Sequence, residues 1–137
     1  MSQFEPAVEK VLLHEGGYNF IEGDAGGETN WGISKRSYPN LDIRNLTREQ
    51  AIEIYRTDWW DKHGFSFVEP QEFADKYFSF AVNMGFAAAN KLYLEAKDEP
   101  DPLLALIKAA VIRYARICQK NPTQLKFLVG WINRSFS

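Results

Sequence analysis

The 137-residue chain is 45% apolar and 15% aromatic and carries a formal net charge of −2. A chain of this length and composition is expected to form one domain with a real core and no need of staples. Its charge balance excludes the basic excess of a usual nucleic-acid binder. The one cysteine, Cys118, rules out an intramolecular disulfide, and with His14 and His63 as the only histidines no structural zinc site is expected.

Met1–Pro6 has neither the basic start nor the apolar run of a signal peptide. The stretch Leu103–Ala115 is broken by Lys108 and Arg113 and is too short to span a bilayer. The expectation is a soluble protein synthesised in the cytoplasm, with no membrane insertion.

Phe4, Val8, Val11 and Leu12 recur at helical spacing and predict an amphipathic helix to about Leu13 or His14, stopped by Gly16-Gly17. From Tyr18 to Ile33 turn residues dominate, predicting a glycine-rich loop with a short, irregular β-hairpin. Thr47 and Gln50 form a capping box for a helix with Ala51, Ile52, Tyr55 and Trp59 on one side. Trp59 and Trp60 are adjacent, so only one can face the core. Gly64 to Pro70 reads as a connector. Phe73–Met84 is apolar almost all round, the pattern of a central helix, and Gly85 breaks it before a helix over Ala87–Ala96.

Lys97–Pro102 is the clearest punctuation in the chain, dividing residues 1–96 from a C-terminal helical part over 97–137. Its acidic residues Asp98, Glu99 and Asp101, with Glu95, read as a solvated turn. Leu103, Ile107, Val111, Tyr114 and Ile117 then repeat at helical spacing, and Asn121-Pro122 opens a last helix with Leu125, Leu128, Val129 and Ile132. The fold class is mainly α: one domain of about six helices with one small β excursion after the first.

Chemistry concentrates between Glu15 and Ile33. Glu15 falls eleven residues after Phe4, which returns it to nearly the same helix face. The apolar stripe of the first helix thus ends in a carboxyl group. A carboxylic acid of that kind next to a polar loop is what a general acid for glycosidic cleavage needs. On periodicity alone, a Glu15 turned outward at a frayed helix end is the favoured reading. Two glycine pairs, Gly16-Gly17 and Gly26-Gly27, suggest a backbone shaped for close approach.

The pattern Glu15-Gly16-Gly17-Tyr18, Asp24, Gly26-Gly27-Glu28-Thr29 and Gly32-Ile33 resembles glycoside hydrolase family 108, whose members are N-acetylmuramidases of phage endolysins and of bacterial proteins once labelled secretion activators. Its Glu15, Asp24, Thr29 spacing is also similar to that of phage-type lysozymes. Leu46–Ala51, Ile54-Tyr55-Arg56, Trp59-Trp60-Asp61, Ala81–Gly85 and Gly130–Arg134 continue the resemblance over nearly the whole chain. It implies a lysozyme-like fold, peptidoglycan glycan strands as substrate, no cofactor, and cleavage of the β-1,4 bond between N-acetylmuramic acid and N-acetylglucosamine. Access to the wall would then need a holin or a dedicated export system.

Under that resemblance Glu15 is the general acid, Asp24 the second carboxylate and Thr29 the holder of a water. Glu22 and Glu28 stand in the same loop as alternatives to Asp24, and an Asx-turn is the other reading of Asp24. Tyr18 and Trp31 are candidates to stack on sugar rings, and Asn83 to bind an acetamido group; each is equally readable as a structural residue. One departure is plain: the Asp-Gly and Gly-Pro-x-Thr segment attributed in the family to peptidoglycan binding is replaced here by Lys97–Pro102. The alternative function is an inactive lysozyme-fold module that binds peptidoglycan or a protein partner.

Overall fold

The computed structural model describes residues 1–20 and 27–137. Its contacts gather into two compact units, Gln3–Ser66 and Phe67–Ser137, the second joined by Met1–Ser2.

In the first unit, helix α1 (Phe4–His14) buries Phe4, Ala7, Val8, Val11 and Leu12, the stripe set by its apolar spacing. Three short strands follow, β1 (Asn19–Phe20), β2 (Glu28–Asn30) and β3 (Ile33–Ser34), in one antiparallel sheet with β2 central. The expected hairpin is thus β2–β3, with a third strand added by pairing of Asn19 with Thr29 and Phe20 with Glu28.

Helix α2 (Arg48–Tyr55) starts at the expected capping box: Thr47 Oγ1 accepts from the Gln50 N–H at 3.1 Å, and Gln50 Oε1 accepts from the Thr47 N–H at 2.9 Å. Thr47→Ala removes one of these bonds and is expected to cost about 1 kcal/mol, read as a lower urea midpoint with unchanged slope.

The chain then winds as a π-helix over Arg56–Asp61, which changes which tryptophan faces inward. A regular helix would place Trp59, four residues after Tyr55, on the buried side; the wider turn puts the fifth residue there. Trp60 is accordingly 3% exposed, with its ring 5.7 Å from both Phe4 and Phe65. Two ion pairs, Arg48–Glu9 at 2.6 Å and Arg56–Glu5 at 3.1 Å, tie α1 to this segment, and the Arg56 guanidinium also lies 4.4 Å over the Phe4 ring.

His63 packs edge-on to Trp59 and Phe65. Burial, helped by the Lys62 charge, lowers its pKa below the ordinary 6.5. The unfolded chain therefore takes up this proton at a higher pH than the folded one, so stability is lost as pH falls from about 6.5 toward the folded value. His63→Gln is expected to flatten that part of a melting-temperature profile between pH 7 and 5.

The second unit is helical. Helix α3 (Gln71–Met84) buries Phe73, Ala74, Asp75, Tyr77, Phe78, Ser79, Phe80 and Ala81, so consecutive residues face the interior as the apolar pattern predicts. Gly85, at φ +91°, reverses the backbone and separates α3 from α4 (Phe86–Ala96). Tyr77 stacks on Tyr93 at 4.5 Å and donates to Asn90 Oδ1 at 2.8 Å, which fixes α4 on α3.

Helix α5 (Pro102–Lys120) opens with proline in its first turn and Asp101 accepting from the Leu104 N–H. Its inward residues Leu106, Ala110, Tyr114 and Cys118 repeat every fourth position. The predicted last helix is divided: a 3-10 segment over Pro122–Phe127 precedes α6 (Leu128–Phe136). Leu125 and Leu128 are three apart, a spacing compatible with either helix type, so the apolar pattern did not distinguish them. Trp131 stacks on Tyr114 at 4.9 Å and anchors α6 to α5. No described helix is long and apolar enough to cross a membrane.

Candidate active site

Glu15 stands just past α1, in extended conformation at φ −88°, with its N–H still donating to Val11 O at 3.1 Å. The last helical bond thus holds its backbone while the side chain leaves the helix. That side chain is half-buried against the turn that joins β2 to β3. A Cβ added to Gly32 would lie 2.8 and 2.9 Å from Glu15 Cγ and Cδ, so only glycine leaves room for the carboxyl group.

The turn itself is unusual. Asn30 pairs with Ile33, leaving Trp31 and Gly32 as a two-residue connection with φ +55° and +78°. Positive φ at both central positions is the type I′ requirement, and its twist suits a hairpin. Gly32 adopts it freely, whereas a tryptophan there is strained by about 1–2 kcal/mol. Three bonds hold it. Trp31 Nε1 donates to Leu46 O at 3.1 Å, Tyr55 Oη donates to Trp31 O at 2.8 Å, and neighbouring Asn30 donates through Nδ2 to Ile43 O at 3.0 Å. Asn30 is 6% exposed, so its amide is the buried bracket between the sheet and the Ile43–Leu46 segment.

Strain that persists because its surroundings fix it is a mark of functional sites. Here it places the backbone of residues 31–32 directly beside the Glu15 carboxyl. Tyr55 joins the two: its hydroxyl holds Trp31 and is the atom nearest to the space above Gly32, 2.4 Å from the position of an added Cβ. Tyr55→Phe removes the bond to Trp31 and leaves a half-buried carbonyl without its donor, at an expected cost of about 1 kcal/mol. The check is the urea midpoint, measured with turnover, since a loosened turn displaces Glu15 as well.

Other candidates lie in this unit. Thr29 is central in the sheet, opposite Asn19 and Ser34, and half-buried. Tyr18, 42% exposed, donates to Glu28 Oε2 at 3.0 Å, and the Arg44 guanidinium lies 5.8 Å from its ring centre. Glu28 is therefore a hydrogen-bond acceptor for Tyr18. Asp24 and Glu22 lie outside the described residues. Trp31 is half-buried and held at both its indole and its carbonyl.

Asn83 belongs to the second unit, at the last turn of α3. Its Oδ1 accepts from Tyr114 Oη at 2.5 Å. Burial pushes the Tyr114 phenol up to about 12, so it keeps its proton and donates. Among the described residues nothing takes the Asn83 Nδ2 protons. No group of three metal-ligating side chains occurs among the described residues.

Sequence reasoning missed Tyr55 and Asn30 as parts of this site. Tyr55 reads as an ordinary inward-facing helix residue, and its hydroxyl gives no pattern. Asn30 had a signal: in a strand, alternation places it on the opposite face from Thr29, where a polar side chain must find partners.

A carboxyl group presented at a helix end beside the tight Trp31-Gly32 turn is an arrangement suited to glycoside hydrolysis, and comparison gives the same class. The chain matches the glycosyl hydrolase 108 family over residues 8–85 and belongs to that family. The structure of SagA from Brucella abortus is similar in fold, with a TM-score of 0.74 at 24% identity, covering 96% of this chain and 88% of that one. The mainly α, lysozyme-like fold class expected from the sequence is the one found. No curated protein matches the chain.

Proposed function

We propose that this glycoside hydrolase is an N-acetylmuramidase that cleaves the β-1,4 bond between N-acetylmuramic acid and N-acetylglucosamine in peptidoglycan. The observation that carries the proposal is the Glu15 side chain packed on Gly32, against a turn that Tyr55, Leu46 and Asn30 hold in a strained shape. A fixed carboxyl that changes position little during reaction is what general acid catalysis requires.

In this mechanism Glu15 protonates the leaving glycosidic oxygen as an oxocarbenium-like charge develops on the sugar. Asp24 is the second carboxylate, stabilising that charge or taking a proton from water, and Thr29 Oγ1 holds the water. Tyr18 and Trp31 offer ring faces to the sugars. The enzyme acts on the wall after release through a holin or a dedicated export system.

The test is release of reducing ends from purified sacculi by the folded wild-type protein, with Asp24→Asn and Thr29→Val beside it. Wild type is expected to release them and both variants to be slowed. A folded wild type that releases none at high enzyme concentration contradicts the proposal.

A further inference from the structure

A groove of about 650 Å³ runs along one side of the second unit between α4 and α5, a volume in the range of ligand sites. It is formed by matching helical stripes. Leu92 and Ala96 from α4 and Ala105 and Ala109 from α5 make an apolar floor of mostly small side chains. The charges are Lys91, Lys108, Arg113, Arg116 and Lys120 against Glu95 and Glu99, a balance of three positive charges in a chain whose net charge is −2.

None of these five cations has an ion pair or side-chain hydrogen bond among the described residues. Arg113 adds a sharper sign. Its Nε is buried and has no hydrogen-bond partner among the described residues. A buried donor of this kind is costly to leave unpaired and calls for an acceptor that the protein itself does not supply.

An extended polyanion fits poorly, because Glu95 and Glu99 interrupt the positive rim and a row of phosphates would meet them. A neutral sugar has no charge to match the cations. A short peptide with separated carboxylates and small methyl side chains answers all three features: its carboxylates meet the Arg113, Arg116 and Lys108 donors, its methyls lie on the alanine floor, and its N–H groups donate to Glu95 and Glu99.

We propose that the α4–α5 groove binds the acidic, alanine-bearing peptides that cross-link the glycan strands of the cell wall. It would be a site separate from the one that cleaves the sugar. The source of the peptide rests on the muramidase reading; the groove's preference for carboxylate-bearing peptides does not.

Titration calorimetry on the full chain tests this, using the stem peptide released from purified sacculi by an amidase and the same peptide with its carboxylates amidated. Binding of the free acid is expected, weakened by salt, about tenfold or more weaker with exposed-rim Arg116→Glu or Lys108→Glu, and absent for the amidated peptide. Glu15→Gln is expected to bind the peptide as wild type does. No heat at millimolar peptide, or binding unchanged by amidation and by both charge reversals, overturns the proposal. Peptide binding without sacculus cleavage would leave the groove standing and remove the muramidase reading alone.

Discussion

Glu15→Gln is expected to reduce the release of reducing ends from sacculi by on the order of 10²–10⁴-fold, the usual contribution of a general acid. The substitution is well matched to the question because the surroundings constrain shape as well as charge. Glutamine keeps the Cγ and Cδ atoms that rest on Gly32 and so refills the same space. It loses the proton that a carboxylic acid would deliver to the leaving oxygen. The melting temperature should therefore stay close to wild type while turnover collapses. Equal losses of both would mean that Glu15 serves the fold; retention of turnover would mean that another group supplies the proton.

The second large effect is expected at Gly32→Ala, a change of one methyl group. At φ +78° any Cβ carries the left-handed penalty of about 1–2 kcal/mol. The methyl would also sit 2.4 Å from Tyr55 Oη and 2.8 Å from Glu15 Cγ, closer than real atoms approach. Something must move, and both neighbours belong to the site. Displacement of the carboxyl by about 1 Å costs on the order of 100-fold in rate. Gly27→Ala is the matched control. Its φ is +65°, yet no described residue lies within 4 Å of the added Cβ, so it carries the backbone penalty without that collision. Urea midpoints should fall for both variants and further for Gly32→Ala. A Gly32→Ala protein no less stable than Gly27→Ala would contradict the packing described.

The parts of the fold that were legible in sequence are those set by local chemistry. The α1 stripe, the Thr47–Gln50 capping box, the Gly85 break and the Asp101-Pro102 helix start each rest on residues whose preferences act over one turn. The π-helical turn at Arg56–Asp61 is different: a period near four cannot reveal that residue 60 takes the inward place expected for residue 59. The two-residue strand β1 is likewise too short to show alternation, which is why it was not foreseen.

For the candidate site, the sequence pointed to the segment from Glu15 to Ile33 and to Glu15 within it, through a stripe that ends in a carboxyl group. The reason Glu15 is held where it is could not be read there. It depends on Tyr55, 40 positions along, and on the carbonyls of Ile43 and Leu46, which pair with Asn30 and Trp31 only after the chain has folded back.

The most direct test of the central claim is the chemical identity of the new chain ends. Purified sacculi digested with the wild-type protein, reduced with borohydride and analysed by mass spectrometry should yield reduced N-acetylmuramic acid at the new termini, and Glu15→Gln should yield none. Reduced N-acetylglucosamine, 1,6-anhydro ends, or intact sacculi in the presence of folded wild-type protein would contradict it.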